Sequence, residues 1–182
     1  KLKFLVGLAR EVCETIGTVK LPPVADALGK MAAQAAAVEN MMWGMEAKGS
    51  QWGKYFVPDR HAVYAAQTLT QEYYPMIINT LRELAGGALI MLPSSTEDLD
   101  HPELAAIAES VQVSADGRSA EDRIKMMKLV WDAVGSEFAG RHTQYEMFYA
   151  GAQFVTRRHS FRTYDWEKSA ALIRTITDRY GR

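Results

Sequence analysis

The segment Gly135–Gln153, GSEFAGRHTQYEMFYAGAQ, concentrates the residues best suited to holding a small molecule. Gly135 and Gly140 precede Arg141, Tyr145, Phe148, Tyr149 and Gly151. A glycine just behind an aromatic pair can end a helix and let the backbone come close to a flat ligand. Free amides at such a turn can bond ring heteroatoms, while neighbouring rings pack on a flat face. The same pattern also describes a core helix whose aromatics are simply buried, and composition alone favours that reading.

Other constellations are weaker. Arg157-Arg158-His159 and Arg162, interleaved with Phe154, Phe161, Tyr164 and Trp166, read as a solvated face or subunit contact, or as a clamp on an anion such as a pyrophosphate. A formal net charge of −1 argues against a nucleic-acid platform or an anionic membrane partner. Gly86-Gly87 reads as a helix stop rather than a phosphate loop. The four histidines are scattered and no Glu-x-x-His pair occurs. Asp98-x-x-His101 lies in a polar loop before Pro102, so no metal site is expected. No G-x-S-x-G elbow is present to support a serine hydrolase. Cys13 is the one cysteine, which excludes a disulfide within the chain and fits a reducing, cytoplasmic setting. It reads as a small buried helix residue.

These residues need helices to position them. Leu5, Leu8, Val12 and Ile16 fall near helical spacing, which predicts a helix over Leu2–Ile16 that Gly17 ends. Pro22-Pro23 opens the next, over about Val24–Ala47, rich in Ala and Met and expected at the centre of a bundle because small residues allow close approach. Asp59 is a good N-cap for a third helix. Its stripe runs through Val63, Ala66, Leu69, Tyr73, Ile77, Leu81 and Leu84; Pro75 should kink it and Gly86-Gly87 stop it. Ser119-Ala-Glu-Asp122 starts a fourth, with Ile124, Met127, Trp131 and Val134 inward. Loops are expected at 48–58 and 86–117. Beyond Gly151 the pattern is less regular, ending in a helix near Trp166–Arg179. Nothing approaches the roughly 20 apolar residues of a membrane span. The fold class is therefore all-α: a four-helix bundle with an extra C-terminal helix, forming a single domain over residues 1–182. The first residue is not Met, and the chain reads as though it starts inside a helix, so a fragment of a longer protein is expected.

Three stretches carry a family likeness: Ile90-Met-Leu-Pro-Ser-Ser95, Arg123–Asp132 (RIKMMKLVWD) and Gly135–His142 (GSEFAGRH) followed by Tyr145-Glu146. With them the chain resembles the large oxygenase component of the 4-hydroxyphenylacetate 3-hydroxylase and chlorophenol monooxygenase family. The FYAGAQF and RRHSFRTYDW stretches lean toward the halophenol-type branch. The likeness runs from about Leu2 to Gln153.

The resemblance implies a C-terminal helical bundle of the acyl-CoA dehydrogenase type, from a longer, tetrameric oxygenase. It implies reduced FAD supplied by a separate flavin reductase, a C4a-hydroperoxide, and a phenol as the oxygen acceptor. In the related dehydrogenases a Tyr-Glu-Gly-Thr turn lies against the flavin, and its Glu is often the catalytic base. Here the similar turn is Tyr149-Ala150-Gly151-Ala152, with Arg141 eight residues before the tyrosine. Ala150 has no carboxylate, so it cannot abstract a substrate proton. The resemblance thus places Arg141, Tyr149, Ala150, Gly151 and Ala152 beside FAD and Phe148 and Phe138 at the substrate. It brings Gly86, Gly87 and the Leu92–Ser95 loop near a flavin across a subunit interface. The family's catalytic polar residues lie upstream, so no acid or base is assigned within these residues. An acyl-CoA dehydrogenase-like enzyme and a non-catalytic assembly domain are the alternatives.

Overall fold

Helix α1 spans Leu2–Ile16, the bounds its apolar stripe predicts. Leu5, Leu8, Ala9, Val12 and Cys13 are buried along one side. Gly17 ends it at φ 87, where its amide donates to the carbonyls of Cys13 and Glu14. A Cβ at Gly17 would also lie 2.7 Å from that of Ala115, so glycine is required there for both backbone and space. The computed structural model describes residues 1–180.

Helix α2 (Pro22–Ala47) is followed by an antiparallel hairpin of β1 (Ser50–Trp52) and β2 (Tyr55–Val57), with Gln51 opposite Phe56. Helix α3 (Arg60–Ala85) begins at Asp59, whose carboxylate accepts from the Ala62 amide at 2.8 Å. It runs unbroken through Pro75. Proline has no amide hydrogen, so the Gln71 carbonyl loses its helical donor. After single 3-10 turns at Gly86–Leu89 and Thr96–Asp100 come α4 (Pro102–Val111) and α5 (Ala120–Val134), the latter capped by Ser119. Helices α6 (Glu137–Phe148), α7 (Gln153–Thr163) and α8 (Trp166–Thr177) complete the described chain.

The long helices α1, α2, α3 and α5 form the expected bundle, with α3 at its centre against α1, α2, α5, α6 and α7. Tyr74, Ile77, Ile78, Leu81 and Ala85 of α3 meet Leu5, Leu8 and Val12 of α1 and Met127, Val130 and Val134 of α5. Each such aliphatic side chain contributes about 1.5–3 kcal/mol by leaving water. Arg82 of α3 donates through Nε to the Val134 carbonyl at 3.0 Å, tying α3 to the end of α5.

Several expectations are corrected. Helix α2 is peripheral, since Met31 is its one buried residue, while Met42 and Trp43 are exposed. Small residues permit close packing but do not dictate it. On α5 the inward residue is Val130, and Trp131 is exposed. Residues 48–58 hold a hairpin, 86–117 hold α4, and the polar stretch after Gly151 is the regular helix α7. Among the described residues no helix is long and apolar enough to cross a membrane.

Cys13 is fully buried, and burial pushes its thiol pKa above the usual range, against a smaller opposing hydrogen bond from Thr18. A neutral, inaccessible thiol is a poor nucleophile. At pH 8 the Cys13 peptide is expected to resist alkylation in the native full-length protein and to react fully in guanidinium, as read by mass spectrometry. Rapid native labelling would show that α1 opens from the core.

Candidate functional site

Helix α6 starts at Ser136, whose hydroxyl accepts from the Ala139 amide at 3.1 Å. It touches the rest of the bundle along a narrow edge, where Ala139 and Glu146 are its buried residues. Its aromatics therefore do not enter the core, contrary to the compositional reading. Phe138 is 70% exposed, Tyr145 57%, Phe148 48% and, just past the helix, Tyr149 45%.

The turn Tyr149–Ala152 links α6 to α7. Gly151 holds it at φ +103, a conformation side-chain-bearing residues rarely adopt. The Gly151 amide donates to the Phe148 carbonyl at 2.8 Å, and the Tyr149 amide to Tyr145 at 2.8 Å. The amides of Ala150 and Ala152 donate to no acceptor among the described residues. The turn thus shows two free donors, a glycine without side chain, and the exposed rings of Phe148 and Tyr149. That set suits a flat heteroaromatic molecule.

Helix α3 anchors this turn. Gln71 is fully buried, and its amide group donates to the Met147 carbonyl at 2.9 Å and the Gly151 carbonyl at 2.7 Å. Its Oε1 accepts from the hydroxyl of Thr156, itself fully buried on α7, at 2.8 Å. One residue earlier, Thr70 Oγ1 lies 3.1 Å from the Tyr149 hydroxyl.

Tyr149, Thr70, Tyr74 and Glu146 line one side of a cleft of about 380 Å³ whose other side is Lys1, Leu2 and the Ala35–Met42 face of α2. The Glu146 carboxylate is nearly buried, paired with the Lys1 ammonium and 3.3 Å from His142 Nε2. Burial first, and the Glu146 charge second, raise the Tyr74 phenol above its ordinary pKa. Phe138 stacks on His142 at a centroid distance of 5.6 Å beside a smaller cavity of about 170 Å³. Arg141 is an exposed residue that bonds Glu137 one turn back, at 3.0 Å through Nε.

Gly86 and Gly87 lie elsewhere. They line a separate cavity of about 380 Å³ with Ile16, Leu84 and Arg123. Fifteen residue steps along α3, from Thr70 to Ala85, separate it from the Tyr149 turn, or about 22 Å at 1.5 Å per residue. Within one chain the two glycine groups do not form one pocket. Sequence reasoning missed Gln71, Thr156, Thr70 and Glu146. No sequence signal marked Gln71, which lies off the Val63–Leu84 stripe and is buried because α6 and α7 pack over it. Among the described residues no group of three or more His, Cys, Asp or Glu side chains converges on one point.

Comparison with known proteins gives a consistent set of relatives. Residues 1–178 match the family model described as HpaB, 4-hydroxyphenylacetate 3-hydroxylase C terminal. The chain is 34% identical over 167 residues to a 4-hydroxyphenylacetate 3-monooxygenase oxygenase component of Pseudomonas aeruginosa, covering 89% of this chain and 31% of that protein. It superposes with a TM-score of 0.91 and 25% identity on a crystal structure of an HpaB oxygenase component complexed with FAD and 4-hydroxyphenylacetate, covering 98% of this chain and 37% of the other. An oxygen-tolerant archaeal 4-hydroxybutyryl-CoA dehydratase from N. maritimus shares the fold alone, at a TM-score of 0.86 and 17% identity, covering 100% of this chain and 36% of that one. The bundle is of the acyl-CoA dehydrogenase C-terminal type, as the resemblance implied. The chain spans about a third of the length of these relatives.

Proposed function

Because the chain belongs to the HpaB family of 4-hydroxyphenylacetate 3-hydroxylase C-terminal domains, we propose that it is the C-terminal wall of a two-component, reduced-FAD-dependent phenol monooxygenase. The whole enzyme hydroxylates phenols of the 4-hydroxyphenylacetate or chlorophenol type. It receives reduced FAD from a flavin reductase, works in the cytoplasm and assembles as a homotetramer. The observation that carries this reading is the Tyr149–Ala152 turn: free amides at Ala150 and Ala152, an open Gly151 and two exposed rings fit the edge and face of a flavin.

Bound reduced FAD with dioxygen supplies the oxygen atom. The chain's own residues bind and shield. Ala150 and Ala152 offer amide donors to the ring system, and Tyr149, fixed through Thr70, covers one edge. Phe148 and Phe138 border the phenol and keep water away, which limits wasteful peroxide release. Arg141, held by Glu137 and largely solvated, is free to turn toward cofactor phosphate or ring oxygen. Gly86 and Gly87, about 22 Å along α3, fit contact with a neighbour's flavin. The exposed apolar residues of α2 (Met42, Trp43), of the hairpin (Trp52, Phe56) and of α8 (Leu172, Ile173) suit contacts with upstream domains and other subunits. Ala150 has no carboxylate to act as the base of acyl-CoA oxidation.

The test uses the full-length protein mixed anaerobically with reduced FAD and a panel of phenols, then exposed to oxygen. Hydroxylated phenol is expected as the main product, with chain 1–182 alone yielding none. Oxidation of acyl-CoA esters without phenol hydroxylation would overturn the reading.

A further inference from the structure

We infer that Gln71, fully buried itself, is the positioning residue that sets the flavin-facing turn, by clamping both helices that meet there to the central helix. This rests on the reading above that Tyr149–Ala152 lies beside the flavin.

Gln71 is fully buried and spends its whole amide on the junction. One N–H caps the last turn of α6 at the Met147 carbonyl, 2.9 Å away. That carbonyl is one of the four that a helix end leaves without an intrahelical partner. The other N–H holds the Gly151 carbonyl at 2.7 Å, in the middle of the turn. The oxygen takes the Thr156 hydroxyl at 2.8 Å, one turn into α7. Three points on α6, the turn and α7 are thereby referred to one side chain on α3. No other buried polar side chain among the described residues bridges them.

The clamp decides where the free amides point. Peptide planes are rigid, so fixing the Gly151 carbonyl orients the Gly151–Ala152 plane, and with it the Ala152 amide. Fixing Met147 sets the direction in which α6 releases Phe148 and Tyr149. A flavin-binding turn must hold its donors to within roughly half an ångström, and a buried hydrogen-bonded support achieves this better than surface contacts. The cost of burying an amide in an apolar face is met only if every donor and acceptor is satisfied, as here. The geometry is specific to glutamine. Leucine fills the space without donors. Glutamate turns an oxygen toward two carbonyl oxygens.

The experiment uses full-length enzyme: wild type, Gln71→Leu, Thr156→Val, and Val12→Ala as a core truncation remote from the turn. Reduced-FAD affinity, the ratio of hydroxylated product to hydrogen peroxide, and thermal stability are measured for each. Gln71→Leu is expected to weaken reduced-FAD binding about tenfold and to divert turnover to peroxide, from two carbonyls left unpaired. Thr156→Val removes one bond and should raise the peroxide share by about twofold with a smaller loss of affinity. Val12→Ala should lose stability but keep both readouts. If Gln71→Leu does not fold, Thr156→Val decides. Unchanged affinity and coupling in folded Gln71→Leu, or in Thr156→Val when that variant alone folds, would overturn the inference. So would an equal loss of coupling in Val12→Ala. A wild-type protein that neither binds reduced FAD nor hydroxylates a phenol would instead overturn the functional reading, and with it the premise.

Discussion

Leu81→Ala in the full-length protein is expected to destabilise this bundle by about 2–5 kcal/mol, the range for emptying a close-packed leucine site. Leu81 is fully buried near the C-terminal end of α3, in one core cluster with Ile77 and Ile78 of α3 and Val130 and Val134 of α5. The cavity cannot collapse easily, because side-chain bonds hold α3 on either side of Leu81, at its middle and near its C-terminal end. Arg82 bonds the Val134 carbonyl, and Gln71 bonds the α6–α7 junction. The measurement, beside the thermal transition, is hydrogen exchange of the α3 and α5 peptides, which reads these two helices separately from the rest of the protein. Protection in both helices should fall together. Trp43→Ala on α2 supplies the contrast. Trp43 is 64% exposed in this chain, so its removal costs little unless another subunit or domain covers it. A loss comparable to that of Leu81→Ala would locate an assembly contact on α2.

The contrast between α2 and α3 also shows where sequence reasoning reaches. The bounds of α1, the Asp59 cap of α3 and the Ser119 cap of α5 were all legible, because a cap and a stripe are local facts of a few residues. Which helix becomes central is not local. Helix α2 carries more alanine and methionine than α3, yet α3 is surrounded, since burial is decided by neighbours distant in sequence. Likewise Val130 rather than Trp131 turns inward on α5, a rotation of one residue that periodicity alone resolves poorly. Helix α7 escaped notice because it is mostly polar, its Phe154 and Phe161 are exposed, and Thr156 is its one buried residue; its position comes from packing on α3 and from Gln71. The hairpin escaped because five of its six strand residues are exposed and show no alternation.

The site followed the same division. The Tyr149–Ala152 turn is proposed as a site from motif likeness, while the side chains that support it could not be named that way. Gln71 sits some 80 positions earlier in the chain, and nothing in the spacing of Gln71 and Thr156 shows that they meet. Conversely, the aromatics of α6 were misjudged as core by composition, since ring content says nothing about which surface a ring will face. Phe138, Phe148 and Tyr149 are exposed here, as the proposed role at the edge of a site needs.

Gly151→Val should weaken binding of reduced FAD by tenfold or more, on the order of 1.4 kcal/mol or above. The argument separates space from backbone. A Cβ at Gly151 would meet Val155 no closer than 3.8 Å, so crowding by the chain itself is not the obstacle. The obstacle is φ +103, which a β-branched side chain resists at a cost of about 1–3 kcal/mol. The turn would relax by rotating its peptide planes. That draws the Gly151 carbonyl off Gln71, leaving a buried amide donor unpaired at about 1–3 kcal/mol more, and swings the Ala152 amide away from its present direction. The branched side chain would in addition cover the open face of the turn, where the proposed flavin ring approaches. Gly151→Ala shares the backbone strain with less bulk and should lose less. Titration of the full-length variants with reduced FAD under anaerobic conditions, monitored by flavin absorbance, gives the ordering wild type, Gly151→Ala, Gly151→Val. Equal affinities across the three would remove the turn from the flavin site, whatever the stability of the variants.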